Sequence, residues 1–338
     1  MRGKDYRMTS GSRAEKSGHL RIGLIEVGSR AIRLLVADFD RFANFIPVKI
    51  DTIQHGIDPS EIEAGDVSSI NEIILRLEDA ISKFSCDRVV IYGTEICRRI
   101  SVLWADALDG RIKVLTPREE AMAAWAAGIL CEDNKRAPIE CTVIDEGNAS
   151  TEIATGYWNG NLIHDFKYTS LSVGSADLMD MYRADSKAYL QRLIAHLGNY
   201  RATVAESLGR STGGGVVYLA GGVATKIGWF KVRKSLDDFY QPHRVNGARL
   251  SVSILTNVFA ELSKVFKLDP DKARRLVDAR AGSEDEFIRI ISSAPFLAIV
   301  RNFVDNRDEL KITGYGVRHG MAFLIMNELL EFDVVKIV

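Results

Sequence analysis

One pattern occurs twice in this chain and limits the folds open to it. Ile22-Gly23-Leu24-Ile25-Glu26 is an apolar run that ends on an acid. Val27-Gly28-Ser29-Arg30 bends the chain, and residues 31–39 return as a second apolar run. Residues 141–145 repeat the design: Leu24-Ile25-Glu26-Val27-Gly28-Ser29 aligns with Val143-Ile144-Asp145-Glu146-Gly147-Asn148. A third strand follows each copy, over residues 45–52 and residues 162–168, and alternating helices and strands come after. A duplicated meander of this kind implies an α/β fold of two similar domains flanking a cleft. Each domain would then present one acidic hairpin tip to that cleft.

The remaining elements follow from periodicity. Ile70, Ile73, Ile74, Leu77, Ile81 and Phe84 recur at helical spacing, behind a cap at Asp66 or Ser68. A strand is expected over residues 88–91, a helix over 95–108 and a strand over 111–115. Thr116-Pro117 opens a helix to about Leu130, with Glu119 and Glu120 in its first turn. In the second half, helices are expected near 175–182 and over 187–208, with a strand at 216–220. Gly221-Gly222 turns into the next helix. Further helices are expected over 250–266, 287–304 and 317–330, and a strand over 310–313. The polar stretch 133–138 marks a boundary. The expected organisation is a disordered leader over 1–19, a first domain over 20–135 and a second over 136–338, its last helix free to pack on the first.

Composition removes several function classes. The chain has 338 residues, 46% of them apolar and 26% charged, with a formal net charge of -1. No global field would gather nucleic acid or an anionic membrane, so any polyanion must be held by local positive groups. No apolar run approaches the length that spans a membrane by sequence alone. The polar, basic start lacks an apolar core and reads as a leader, not a signal peptide. Cys86, Cys97, Cys131 and Cys141 have no paired metal spacing and suit reduced thiols in a cytoplasmic protein. The six histidines are scattered, which argues against a zinc hydrolase. Covalent hydrolysis has no support either, because no G-x-S-x-G elbow is present.

The second hairpin carries the chemistry. Asp145 stands at a strand end, and the small residues after it leave backbone N–H groups to cradle an anion. An acid beside a phosphate cradle calls for a bridging cation, usually Mg²⁺. The competing reading is an ordinary hairpin turn, and Glu120 alone reads as a solvated helix-start acid.

The order of motifs resembles the exopolyphosphatase and guanosine pentaphosphate phosphohydrolase (Ppx/GppA) family, whose fold belongs to the actin/hexokinase/Hsp70 (ribonuclease H-like) superfamily. The resemblance runs from about Arg21 to Met321. Its I-D-x-G-S-N-S-x-R-L motif is matched by residues 25–34, Ile-Glu-Val-Gly-Ser-Arg-Ala-Ile-Arg-Leu. Its T-x-A-x-R segment corresponds to Thr94-Glu95-Ile96-Cys97-Arg98, and S-G-x-E-E-A-R to residues 116–122. The I-D-I-G-G-G-S-T-E loop corresponds to Ile144-Asp145-Glu146-Gly147-Asn148-Ala149-Ser150-Thr151-Glu152. S-L-P-L-G, G-G-T-A-T and G-L-R-E-G correspond to residues 170–174, 221–225 and 316–320.

By this resemblance Glu120 is the base that prepares water, and Arg98 contacts phosphate. Asp145 and Glu152 hold Mg²⁺ and that water, with Glu26 as a further metal ligand. Gly28, Ser29, Arg30, Gly147, Asn148, Ala149, Ser150, Thr151, Gly221 and Gly222 form the phosphate grip. The implied activity is Mg²⁺-dependent release of terminal phosphate from inorganic polyphosphate or a phosphorylated guanosine nucleotide. No nucleic-acid or membrane partner is implied, and a homodimer is compatible with the resemblance. Glu26 replaces an aspartate, Arg30 an asparagine, and Asn148-Ala149 two glycines, while Glu146 adds a charge. Arg30 is expected either to add positive charge for the phosphates or to pair with Glu26 or Glu146. Two other readings therefore stand beside catalysis: a degenerate member that senses a phosphorylated ligand, and an ATPase or kinase of the same superfamily.

Overall fold

The computed structural model describes residues 19–40, 45–57, 64–99, 111–209, 215–232, 242–268, 284–304 and 309–330. Residues 1–18 of the leader expected over 1–19, and residues 100–108 of the expected second helix, lie outside the described residues, while His19 opens a strand and is not part of a leader.

Strand β1 (His19–Val27) pairs antiparallel with β2 (Ala31–Asp40), and β2 with β3 (Phe45–Gln54). After helix α1 (Ala64–Ser82), β4 (Arg88–Gly93) lies parallel to β1 on its other side. Helix α2 (Glu95–Arg99) follows, and β5 (Lys113–Val114) completes a five-stranded sheet of order β3-β2-β1-β4-β5. Helix α3 (Pro117–Ile129) leads into the repeat: β6 (Ile139–Glu146), β7 (Thr151–Trp158) and β8 (Ile163–Leu171). Helices α4 (Ser175–Ala184) and α5 (Tyr189–Leu208) precede β9 (Val216–Ala220), which runs parallel to β6. Next come α6 (Gly222–Val232), a 3-10 turn (Pro242–Val245), β10 (Arg249–Ser251) and α7 (Val252–Leu268). Helix α8 (Glu284–Val304), β11 (Glu309–Ile312) and α9 (Val317–Met326) finish the described chain. The second sheet has the order β10-β11-β9-β6-β7-β8. Strand for strand, β3-β2-β1-β4-β5 corresponds to β8-β7-β6-β9-β11, with β10 an added edge. The chain is thus a duplicated α/β fold.

Small differences from the sequence expectations have local causes. Helix α1 begins at Ala64, so Asp66 and Ser68 lie inside it and do not cap it. The strand expected over 111–115 is only two residues of β5. Leu250 belongs to β10, not to the helix after it. Three residues are too few to show a period, and β10 exists because β11 pairs with it antiparallel.

The period of two along each strand divides the interior. On β1, Ile25 and Val27 join α1 in one core, whereas Ile22 and Leu24 face a central layer. On β6, Ile144 enters a core with α5, α6 and α8, whereas Cys141 and Val143 face the central layer. That layer holds α3 and α9, packed on each other between the two sheets. Helix α3 contacts β6, β7, β8 and β9, and α9 contacts β1 and β2. Each lobe's sheet is therefore covered by a helix that the chain order places beside the other lobe. Helix α8 is long and apolar enough to cross a membrane by length and composition, yet its side chains are mostly buried against its neighbours.

Candidate active site between the lobes

Strand parity decides which residues reach the cleft. Glu26 shares the parity of Ile22 and Leu24, and Asp145 that of Cys141 and Val143. Both acids therefore stand at strand ends on the faces turned to the central layer. Cross-strand pairing adds a neighbour to each: Arg33 opposite Glu26, and Glu152 opposite Asp145. Both bends close in the same way, with the Gly28 N–H donating to the Ala31 carbonyl at 3.1 Å and Gly147 to Ser150 at 2.9 Å. Those two amides are consumed by the turns and are not part of a phosphate cradle. Gly28 and Gly147 have no positive φ, and neither do Asn148 and Ala149, so the loss of two glycines there strains nothing. Gly221 does need to be glycine: its φ is +95° and it lies against the Glu146 carbonyl.

Helix α3 delivers Glu120. Thr116 caps the helix by accepting from the Glu119 N–H, its own N–H donates to Glu119 Oε2, and Pro117 presets the first turn. Glu120 sits in that first turn, buried, and its Oε2 accepts from Arg98 Nη1 at 2.7 Å. Arg98 is otherwise spent on Glu95 Oε2 (Nη2 at 2.8 Å) and the Leu115 carbonyl (Nη1 at 2.8 Å). It does not line the cleft, so the expected direct phosphate contact gives way to a role behind Glu120.

A cavity of about 330 Å³ opens between the lobes. Its wall includes Glu26, Gly28, Ser29 and Arg30 from the first hairpin, and Asp145, Gly147, Asn148, Ala149, Ser150 and Glu152 from the second. Glu120, Gly221 and Gly222 also line it, and so do Arg33, Glu286, Arg289 and Arg318. Thr151 does not: its hydroxyl donates to the Val173 carbonyl at 2.7 Å in the interior.

Electrostatics sorts the acids. Glu26 is occupied, with Oε1 bound by Arg33 and Oε2 accepting from the Tyr92 hydroxyl at 3.3 Å. Each of its oxygens therefore already accepts one hydrogen bond, although Glu26 still lines the cavity. Burial pushes Asp145 up to about 7, helped by Glu120 and Glu26 and opposed by Arg33. Burial also raises Glu152, with Asp145 adding to the effect, although Ser170 donates to its Oε1 at 3.0 Å. Glu120 rises for the same reason, with Glu152 repelling it and Arg98 pulling the other way. Three buried acids that repel one another form a site in which a cation or a shared proton is favourable. Among the described residues no group of three or more His, Cys, Asp or Glu is arranged to hold a metal by itself.

Of the charges added in this chain, Arg30 pairs across the cleft and Glu146 does not. Arg30 meets neither Glu26 nor Glu146, and its Nη1 lies 3.1 Å from Glu286 Oε2 on α8. Glu146 turns inward to the Ser293 hydroxyl, and burial pushes it up to about 8. Asn148 accepts from Arg289 Nη1 at 2.6 Å, and the same nitrogen donates to Ser175 Oγ at 2.7 Å. Sequence reasoning missed Arg33, Tyr92, Glu286, Arg289 and Arg318 as site residues. Arg33 was detectable only by taking Ser29-Arg30 as a two-residue turn, the register that sets it opposite Glu26. Glu286 and Arg289 were not, because a mostly apolar helix carries no local sign of which end meets a cleft.

No protein-family model matches the sequence, and no curated protein matches it. Solved structures do match. The Ppx/GppA family member from Aquifex aeolicus aligns over 93% of this chain and 100% of its own, with a TM-score of 0.71 and 18% identity. An exopolyphosphatase-like protein aligns over 93% of this chain and 100% of its own, with a TM-score of 0.72 and 15% identity. An exopolyphosphatase from Cytophaga hutchinsonii covers 92% of this chain and 99% of its own, with a TM-score of 0.69 and 14% identity. Over nearly its whole length this chain has the fold of the Ppx/GppA structures.

Proposed function

We propose that this protein is a phosphohydrolase that releases terminal phosphate from inorganic polyphosphate or a guanosine pentaphosphate-like nucleotide. One observation carries the reading: Glu120, backed by Arg98, opens into the same cavity as Asp145, Glu152 and the bends of both hairpins. The shared fold with structures named as exopolyphosphatases supports it.

Phosphoryl transfer asks mainly for positioning and charge neutralisation. Glu120, raised above the ordinary carboxylate range, is a better proton acceptor for an attacking water than an exposed glutamate. Arg98 holds its orientation. Mg²⁺ commonly takes one or two carboxylates and fills its shell with water and phosphate oxygens. Asp145 and Glu152, opposed across β6 and β7 at the cavity wall, fit that donor set, while Glu26 is already shared with Arg33 and Tyr92. The bound ion would neutralise phosphate charge. Positive side chains at the wall, Arg33 and Arg318, supply the rest.

The test is phosphate release from long-chain polyphosphate, with Mg²⁺ or with chelator, by wild type and Glu120→Gln. Loss of at least about 100-fold in the variant is expected, the lower range for general-base removal. Release that survives Glu120→Gln would sink the assignment. A second reading, sensing without turnover, is favoured by Arg30 and Arg289 being committed to protein partners. It predicts thermal stabilisation by ligand with no release. ATP run alongside addresses an ATPase or kinase.

A further inference from the structure

The two bends are built alike but braced differently. In the second lobe the Gly147 carbonyl accepts from the Ser175 N–H and the Asn148 carbonyl from the Ala176 N–H, both at 3.0 Å. Those donors are first-turn amides of α4, which have no partner inside their own helix. In the first lobe a side chain just past β3 takes that place. The Gly28 carbonyl, the counterpart of Gly147, accepts from His55 Nε2 at 3.0 Å. The His55 N–H also donates to the Arg30 carbonyl at 3.4 Å, so one residue holds the bend at both ends.

Nδ1 of the same ring accepts from the Ile57 N–H at 3.2 Å, so the ring is neutral and carries its proton on Nε2. Burial lowers its pKa, the Gly28 hydrogen bond opposes that, and Arg33 adds to the lowering. His55 is absent from the cavity wall, whereas Gly28, Ser29 and Arg30 are on it. A trans peptide is planar and sets its C=O and N–H in opposite directions. Pinning the Gly28 carbonyl on His55 therefore turns the Ser29 N–H the other way, toward the cavity. That amide has no hydrogen-bond partner among the described residues, and neither do the amides of Asn148 and Ala149.

We propose that His55 is a positioning residue for ligand binding: it holds the Gly28 peptide so that the Ser29 N–H faces the ligand, as the α4 amides hold the second bend. That the ligand is a phosphate rests on the phosphohydrolase reading, but the brace is testable without turnover. Gly28 has no side chain to resist rotation of its peptide. Without the ring, the Gly28 carbonyl can turn its partial negative charge toward the space the Ser29 amide now faces, which weakens binding of an anion. No hydrogen bond joins His55 to Glu120, Asp145 or Glu152. The effect therefore belongs to binding rather than to the attack on phosphorus.

The experiment is calorimetric titration of inorganic tripolyphosphate into wild type, His55→Phe and His55→Gln. Phe keeps the bulk of the ring and loses the donor, whereas Gln carries an amide N–H near the Nε2 position. His55→Phe should weaken binding on the order of tenfold, the scale of one hydrogen bond to a charged group, and His55→Gln should recover most of it. In ¹⁵N-labelled protein the Ser29 amide resonance should move with tripolyphosphate in the wild type, and by less in His55→Phe. In a release assay His55→Phe should raise KM more than it lowers kcat. A packing role predicts the opposite order, with Phe tolerated and Gln not, and that order overturns the proposal, as does equal binding by all three proteins. If neither variant folds, the wild type decides: a Ser29 amide that stays put at saturating tripolyphosphate overturns the brace. Weaker binding by His55→Phe without phosphate release from any of the proteins would keep the brace and reject the hydrolase. Glu120-dependent release with His55→Phe binding like wild type would do the reverse.

Discussion

Glu26 and Asp145 occupy equivalent positions in the duplicated hairpins, yet they have diverged through their cross-strand neighbours. Glu26 faces Arg33 and is neutralised, while Asp145 faces Glu152 and is crowded by like charge. The equivalence was legible in the sequence, because parity and the strand–acid–bend order need only local information. The divergence was legible only in part. Arg33 is predictable from a tight hairpin, whereas Tyr92 reaches Glu26 through a parallel pairing that no local pattern announces. The difference yields a prediction about cations. Millimolar Mg²⁺ should raise the melting temperature of the wild type through preferential binding to the folded state, and should do so less for Asp145→Asn. Equal stabilisation of both would remove Asp145 from the metal-binding role.

Among the elements, α3 and α9 decide whether the site assembles. Helix α3 is rich in alanine, and it approaches α9 so closely that a methyl group on Gly320 would overlap the Ala123 carbonyl oxygen. Gly320→Ala should therefore cost about 1–3 kcal/mol, the range for overpacking, read as a lower midpoint in denaturant melts. Thr116→Ala removes the cap of α3 and should cost about 1 kcal/mol. Since Glu120 is in the capped turn, it should also lower activity more than the stability loss explains. The cap was visible in sequence as Thr-Pro-x-Glu, a signal contained in four residues. The close approach was not, because it depends on Gly320 meeting a helix far away in the chain. Of the elements of two or three residues, β5 was expected too long and β10 was missed, since they are strands only by virtue of their partners.

Considered whole, the molecule buries acids from both lobes around one cavity, and stability should report it. Asp145 is raised from 3.8 to about 7 and Glu146 from 4.5 to about 8, with Glu120 and Glu152 moved the same way. The folded protein then keeps protons that the unfolded chain releases. That contribution is full below the unfolded values and is lost as pH rises through the folded ones. Glu119, Glu132 and Glu286 are shifted down, so their contribution falls away only in more acidic solution. His55 and His319 are also lowered and oppose the trend only below about pH 6.5, the unfolded histidine value. Between about pH 6.5 and 8, the melting temperature of cation-free protein should therefore fall as pH rises. Glu120→Gln should fall less steeply, and a flat profile in the wild type would contradict the burial of these groups.

By itself the sequence determined the elements, the duplication and the placing of two acids at strand ends, because hydrophobic period, caps and turn residues act over a few residues. The tertiary structure decided who neutralises whom. It sent Arg98 behind Glu120, drew Arg30 to Glu286, turned Thr151 into the interior and gave Glu26 to Arg33 and Tyr92. Those pairings depend on distance between residues far apart in the chain and on the low dielectric of a closed layer, and neither quantity exists until the two lobes have packed.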